Sequence, residues 1–212
     1  MNGVCHIVGA GDFFGMDEPK SGDLVIAADG GLKYLEELGV APDIIVGDFD
    51  SLGRVPSGGN VIVLPCEKDE TDMSFAASVG LERGYKHFRL YGASGGRYDH
   101  TLSNLALLAS LSRKGAAVTM DAGGTSFLAI TDGEVRFPSD AAGYVSVFSH
   151  SETSTGVNIK NLKYPLCDYA LGSTSVIGTS NEFLGVESSI SVAHGTLVVV
   201  YPTRFCPQFI TA

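Results

Sequence analysis

The chain has 212 residues and a formal net charge of -10, from 24 acidic and 14 basic side chains, which leaves no basic face for binding nucleic acid. Hydrophobic residues make up 44% and charged residues 18%, fewer charges than the roughly 25% usual in soluble domains, so a partner subunit covering apolar surface is compatible with the composition. No basic-then-apolar leader and no apolar run near ~20 residues is present, so a cytoplasmic protein with no membrane span is expected. Cys5, Cys66, Cys167 and Cys206 stand too far apart for a zinc knuckle or a redox pair and read as reduced, mostly packed thiols.

In chain order, the first ~120 residues alternate short apolar runs with amphipathic stretches, the pattern of βαβ units around a parallel sheet. Strands are expected at Val4 to Val8, Leu24 to Ala28, Ile44 to Val46, Val61 to Leu64, His87 to Tyr91 and Ala117 to Asp121. Helices are expected at Gly31 to Leu38, Thr71 to Arg83 and Thr101 to Lys114, each followed by a glycine suited to the left-handed cap. The second helix turns Met73, Ala76, Ala77 and Gly80 to the core and leaves Asp72 in its first turn, at the positive end of the helix dipole. The third is expected to bury Leu102, Leu105, Leu108 and Ala109. Beyond Gly123-Gly124 the chain reads as all-β, with strands at Val135 to Phe137, Tyr144 to Phe148, Gly156 to Ile159, Ser173 to Val176, Ser189 to Ala193 and Thr196 to Tyr201. His194-Gly195 reads as a hairpin turn between the last two.

Two runs carry the chemistry. Gly47-Asp48-Phe49-Asp50-Ser51 sets two carboxylates two residues apart in a glycine-flanked turn, where both can face one divalent cation. Asp29, directly after a strand and before Gly30-Gly31, and Asp72 obey the same logic. In a parallel sheet the carboxyl ends of the strands share one edge, and four acids gathered there repel one another unless a cation joins them. The loop Gly92-Ala93-Ser94-Gly95-Gly96-Arg97 follows another strand to that edge. Its glycines allow close backbone approach, Arg97 offers a planar fork of donors, and Asp99 with His100 can open a helix, which suits a phosphate. Lys68 stands near enough to Asp72 in sequence to touch the same phosphate. Gly9-Ala10-Gly11 departs from the dinucleotide fingerprint and reads as a tight turn. His6, His87, His150 and His194 have no neighbouring nucleophile and read as structural.

These residues resemble a known family. Ala28-Asp29-Gly30-Gly31, Pro42-Asp43-Ile44-Ile45-Val46-Gly47-Asp48-Phe49-Asp50-Ser51, Lys68-Asp69-Glu70-Thr71-Asp72 and Gly95-Gly96-Arg97-Tyr98-Asp99-His100, in that order, are similar to thiamine pyrophosphokinases (thiamine diphosphokinases). Asn161-Leu162-Lys163-Tyr164-Pro165-Leu166 and Gly178-Thr179-Ser180-Asn181-Glu182 resemble the thiamine-side signatures of the same family. The resemblance implies an α/β fold in which an N-terminal Rossmann-like parallel-sheet domain that binds ATP, residues 1–124, precedes a C-terminal all-β sandwich domain that binds thiamine, residues 125–212. It implies a homodimer and transfer of the diphosphoryl group of ATP to the thiamine hydroxyl, giving thiamine diphosphate and AMP. Carried over residue by residue, Asp48, Asp50 and Asp72 would hold Mg²⁺, with Asp50 or Asp72 also orienting the hydroxyl. Asp29, Gly30, Lys68, Ser94, Arg97, Asp99 and His100 would surround the nucleotide, and Ser180 and Asn181 would touch thiamine. Such enzymes often place a Trp beside the vitamin. This chain has none, and Tyr164 and Phe183 are the candidates for that place. Three alternatives stay open at this stage: a related pterin diphosphokinase, a phosphatase with Asp48 as nucleophile, and a thiamine-binding module without catalysis.

Overall fold

The computed structural model describes residues 3–49, 60–65 and 69–210. Asp50, Cys66 and Lys68 lie outside them. The chain divides into two compact units, one of residues 1–107 and 120–123 and the other of 108–119 and 124–212.

The first unit contains β1 (Val4–Val8), β2 (Leu24–Ala28), α1 (Gly31–Leu38), β3 (Ile44–Gly47), β4 (Asn60–Val63), α2 (Asp72–Glu82) and β5 (His87–Tyr91). The helix α3 (Tyr98–Arg113) and the strand β6 (Ala117–Asp121) are each divided between the units. Strands β5-β1-β2-β3-β4 lie side by side in that order, and every registered pair among them is parallel. The chain thus runs outward from β1 through β4 and then returns to the other side of β1 as β5. That reversal of strand order between β1 and β5 marks the crevice where open parallel sheets take ligands.

Each face of this sheet is apolar for its own reason. The stripe Leu32 and Leu35 of α1 packs with Val8, Val25, Ala27, Ile45 and Tyr91 on one face. On the other, Gly80 of α2 lies against Cys5 and Phe88, which are opposite each other in register. A Cβ on Gly80 would stand 2.7 Å from Phe88 Cε1 and 2.8 Å from Cys5 Sγ, so the helix sits as low as backbone allows. Burial pushes the Cys5 thiol up to about 12. Cys167 and Cys206 are instead exposed, which corrects the expectation of mostly packed thiols.

Between β1 and β2 the chain makes no helix. Residues 9–23 form an irregular strap, and three polar side chains of the underlying strands explain how it is held. His6, 2% exposed, faces Asp23 through Nε2 at 3.2 Å and the Tyr91 hydroxyl through Nδ1 at 3.4 Å. The Tyr91 hydroxyl also accepts from Asp17 N–H at 3.4 Å, and Arg89 pairs with the Asp17 carboxylate. Burial lowers the His6 pKa against the opposing pull of Asp23, so at neutral pH the ring is uncharged. Nε2–H then donates to Asp23, and Nδ1 accepts from Tyr91. Burial alone would raise the Asp23 pKa, yet hydrogen bonds from Val4 N–H, Lys20 N–H and His6 hold it below the ordinary value.

The second unit contains β7 (Thr125–Thr131), β8 (Glu134–Phe137), β9 (Tyr144–Ser149), β10 (Thr153–Lys160), β11 (Leu166–Gly172), β12 (Asn181–Glu182), β13 (Ser188–Ser191), β14 (Thr196–Pro202) and β15 (Gln208–Ile210). Strands β12-β9-β14-β7 run antiparallel in one sheet and β11-β10-β13-β8-β15 in another. One apolar cluster draws on both, with Leu128, Val147, Leu197 and Val199 from the first sheet and Phe137, Ile159, Leu171 and Ile190 from the second.

Four local expectations change. Helix α3 begins at Tyr98 rather than Thr101, and Leu102 is 68% exposed beside Tyr98, while Asn104, Leu108, Ala109 and Leu111 are buried. Ser173 to Val176 is turn, and the strand is the preceding Leu166–Gly172, an edge strand with little buried alternation to announce it. Thr125–Thr131 is a further strand. His194-Gly195 does not close a hairpin, because β13 pairs with β10 and β8 whereas β14 pairs with β7 and β9.

Gly80→Val is expected to lower stability in urea unfolding by about 2 kcal/mol, since the added methyls must displace the Phe88 ring or the helix. A variant as stable as the parent would contradict the close approach. For His6, a folded pKa below 6.5 means that the unfolded chain takes up the proton first. The stability this group contributes is present above its ordinary pKa and declines as pH falls from 6.5 toward the lower folded value, by at most about 1.4 kcal/mol per pH unit. His6→Gln should flatten that part of the stability profile, and an unchanged slope would contradict the assignment.

Candidate active site at the sheet edge

The carboxyl edge of the parallel sheet opens into a cavity of about 640 Å³, within the range of small-molecule sites. Its lining comes from four connections: Gly9-Ala10-Gly11-Asp12 after β1, Asp29 after β2, Asp48 after β3, and the loop from Gly92 to Arg97 after β5. Glu70, Thr71 and Asp72 at the start of α2, with Tyr34, His100 and Asn104, complete most of it.

Local geometry explains each placement. Asp29 has φ +48, a left-handed conformation that Asp tolerates better than most residues. Its N–H donates to Val46 O at 2.7 Å, which ties the ends of β2 and β3 together. Asp48 is followed by Phe49, which is 3% exposed at φ +57. The ring inserts into the α1-side core and anchors the turn from below. A Cβ on Gly47 would lie 3.2 Å from both Phe49 Cε1 and Asp29 Cα, so glycine is what lets the two acidic turns stand together. Thr71 caps α2, its hydroxyl accepting from Ser74 N–H at 3.2 Å, and so fixes Asp72 in the first turn, where the helix dipole favours an anion.

The loop after β5 is laid directly on the loop after β1. Gly9 N–H donates to Tyr91 O, Gly11 N–H to Gly92 O and Asp12 N–H to Ser94 O, each at 2.8 Å. Gly92 has φ +55, and a Cβ there would overlap Gly9 O. The buried Asn104 amide donates to Ala93 O at 2.7 Å and fastens the loop to α3. Arg97 pairs with Asp99 through Nε at 3.2 Å and Nη2 at 2.6 Å. This contact holds the Asp99 carboxyl below the usual carboxylate range.

Of the residues expected from sequence, the cavity brings together Asp29, Asp48, Asp72, Ser94, Arg97 and His100. Gly30, the N-cap of α1, and Asp99 stand beside that lining. Asp50 and Lys68 fall outside the described residues. Among the described residues no three His, Cys, Asp or Glu side chains stand close enough to hold an ion. Tyr164, Ser180 and Asn181 belong to the second unit. Tyr164 is exposed with Lys163 Nζ 5.5 Å from its ring centre. The buried Asn181 amide accepts from Tyr164 N–H at 2.9 Å and donates to Tyr164 O at 2.7 Å. Asn181 therefore holds the Tyr164 backbone in place, and Ser180 sits next to it at φ +57. Sequence reasoning missed Gly9, Gly11, Asp12, Tyr34 and Asn104. The signal for Gly9 and Gly11 was the pair of glycines directly after β1, a pattern that departs from the dinucleotide fingerprint and reads as a tight turn.

Comparison with known proteins joins these features. The family model described as "Thiamin pyrophosphokinase, catalytic domain" matches residues 18–120, and "Thiamin pyrophosphokinase, vitamin B1 binding domain" matches residues 133–197. The thiamine pyrophosphokinase of Bacillus subtilis is 30% identical over 189 residues, covering 85% of this chain and 87% of that protein. A crystal structure of thiamin pyrophosphokinase from Geobacillus thermodenitrificans superposes with TM-score 0.80 at 27% identity, over 94% of this chain and 97% of that one. The Bacillus subtilis crystal structure shares the fold at TM-score 0.82 and 24% identity, over 95% and 99% of the two chains. With catalytic and vitamin-binding regions both matched in order along most of its length, the chain belongs to the thiamin pyrophosphokinase family.

Proposed function

We propose that the chain makes thiamine diphosphate by moving the intact diphosphoryl group of ATP onto the thiamine hydroxyl, with release of AMP. One observation carries most of the weight: Asp29, Asp48, Asp72 and Arg97, from four separate connections, line a single cavity in a chain of this family. Such transfer needs a held nucleophile and balanced charge on the moving group, and it needs no covalent intermediate. An acid-lined cavity with one guanidinium suits that chemistry.

The glycine loop and Arg97 would hold the nucleotide phosphates. The Asp99 contact fixes the orientation of the planar guanidinium and leaves its other N–H groups for phosphate oxygens. Asp29, Gly30, Ser94, Asp99 and His100 complete the nucleotide side, with Lys68 as a further cation. Carboxylates are the hard oxygen donors Mg²⁺ takes, and Asp48 and Asp72, with Asp50 two positions after Asp48 in the sequence, are the residues that would hold it. Bound there, the ion would offset polyphosphate charge. Asp72 or Asp50 would orient the attacking hydroxyl.

In the second unit, Tyr164, Ser180 and Asn181 would form the thiamine side, Asn181 by holding Tyr164. The division of labour proposed is an ATP-binding Rossmann-like domain over 1–124 and a thiamine-binding β-sandwich domain over 125–212. A homodimer fits the exposed Tyr144, Tyr164, Val176, Ile177, Leu184 and Val186 of the second unit. A cytoplasmic location fits a chain in which no described helix is long and apolar enough to cross a membrane.

Incubated with Mg-ATP, the protein should release AMP only when thiamine is present. Release of ADP, or of orthophosphate without thiamine, would contradict the proposal. Asp72→Asn should lower kcat/KM by at least ~100-fold, about 3 kcal/mol of transition-state stabilisation, while circular dichroism and the melting temperature stay near those of the parent. Activity within a few fold of the parent would remove Asp72 from the catalytic set.

A further inference from the structure

Of the acidic side chains of the cavity, Asp12 and Glu70 have no part in the roles assigned above, and Glu70 accepts from the Ser74 hydroxyl at 3.2 Å. Asp12 ends the loop after β1 and lines the cavity, with its N–H fixed to Ser94 O at 2.8 Å. Its carboxylate fills the space that a Cβ on Gly95 would need. Among the described residues that carboxylate has no hydrogen-bond or ion-pair partner, and it joins no group of three acids able to share an ion.

Its surroundings have two chemistries. Gly95-Gly96-Arg97, against which it rests, offers backbone freedom and a guanidinium suited to phosphate. Its chain neighbours are tied to one aromatic side chain: Gly11 O accepts from the Tyr34 hydroxyl at 2.9 Å, and the Phe13 ring stacks on Tyr34 with centres 4.8 Å apart and planes 12° apart. A flat aromatic side chain lining the cavity suits a nucleobase face. What lies between base and phosphates in a nucleotide is a sugar with vicinal hydroxyls. A carboxylate repels phosphate, but its two oxygens accept both hydroxyl protons.

We propose that Asp12 is a specificity-determining residue of the nucleotide site, its carboxylate accepting the ribose hydroxyls so that ribonucleoside triphosphates are preferred to their deoxy counterparts. The proposal rests on the nucleotide reading above and deepens it.

The test compares ATP with 2′-deoxy-ATP as donors in thiamine-dependent AMP release. The parent should prefer ATP by about tenfold or more in kcat/KM, the worth of a hydrogen bond to a charged acceptor. Asp12→Ala should bring the ratio to within about twofold, with the loss for ATP falling on KM, and Asp12→Asn should keep part of the preference. A parent without preference, or an alanine variant that retains it in full, overturns the assignment while leaving diphosphoryl transfer intact. Calorimetric titration of the same two nucleotides without thiamine decides the matter even for protein that releases no AMP. Affinities that differ in the parent and converge in Asp12→Ala support the role of Asp12, and equal affinities in the parent refute it.

Discussion

The contact on which the candidate site depends is made of backbone alone. Past the ends of β1 and β5 the two segments stay hydrogen-bonded in an irregular register, through Gly9 to Tyr91, Gly11 to Gly92 and Asp12 to Ser94. A Cβ on Gly9 would come within 2.8 Å of Gly92 O, and one on Gly92 would overlap Gly9 O. No side chain larger than hydrogen is compatible with that approach. Because strand order reverses at this place, the two loops then part around a crevice, and the acidic turns after β2 and β3 open on the same cavity.

The strap over residues 9–23 follows from the same constraint. A helix begun directly after β1 would carry Gly9 to Asp12 away from the loop after β5. Helix α1 packs on the ends of β1 and β5 at Val8 and Tyr91, and beneath the strap the same face is closed by a polar chain: Asp23 to His6, His6 to Tyr91, Tyr91 to Asp17, and Asp17 to Arg89. A buried polar group is costly unless bonded, and here each is. Tyr91 joins strap and site directly, since its hydroxyl meets His6 and Asp17 while its carbonyl accepts from Gly9. Burial drives its phenol up to about 12, so the hydroxyl keeps its proton for His6 across the physiological range.

Periodicity carried the first half of the chain well. Five-residue apolar runs ended by glycine or aspartate located β1, β2 and β5 at their observed bounds, and the small-residue stripe Met73, Ala76, Ala77, Gly80 was the buried face of α2. The signal failed where burial did not follow hydrophobicity. Leu102 looks like a core residue and is exposed, while Asn104 looks like a surface residue and is buried because Ala93 O needs a donor. In the second half, β11 is an exposed edge strand with no apolar alternation, and Thr125–Thr131 mixes Leu, Ala and Ile in a way that suits helix as well as strand. That Asp29, Asp48 and Asp72 reach one cavity was legible, because strand ends fix the first two and the first turn of α2 fixes the third. Asp12 was not, because its place depends on the match between two loops far apart in sequence.

Charge explains why the acids can stay together in a protein already at -10. Asp12, Asp29, Asp48, Glu70 and Asp72 line the cavity with Arg97, and Asp99 engages that guanidinium in advance. Bare polyphosphate approaching this lining meets repulsion at long range, only partly screened over about 10 Å at 0.1 M salt. The fold offsets some of it locally: Thr71 sets Asp72 at the positive end of α2, and the glycine turns offer N–H groups where side chains would otherwise stand. The remaining imbalance has to be met by whatever enters. Under the function proposed above, a polyphosphate complexed with a divalent cation would meet it better than free polyphosphate.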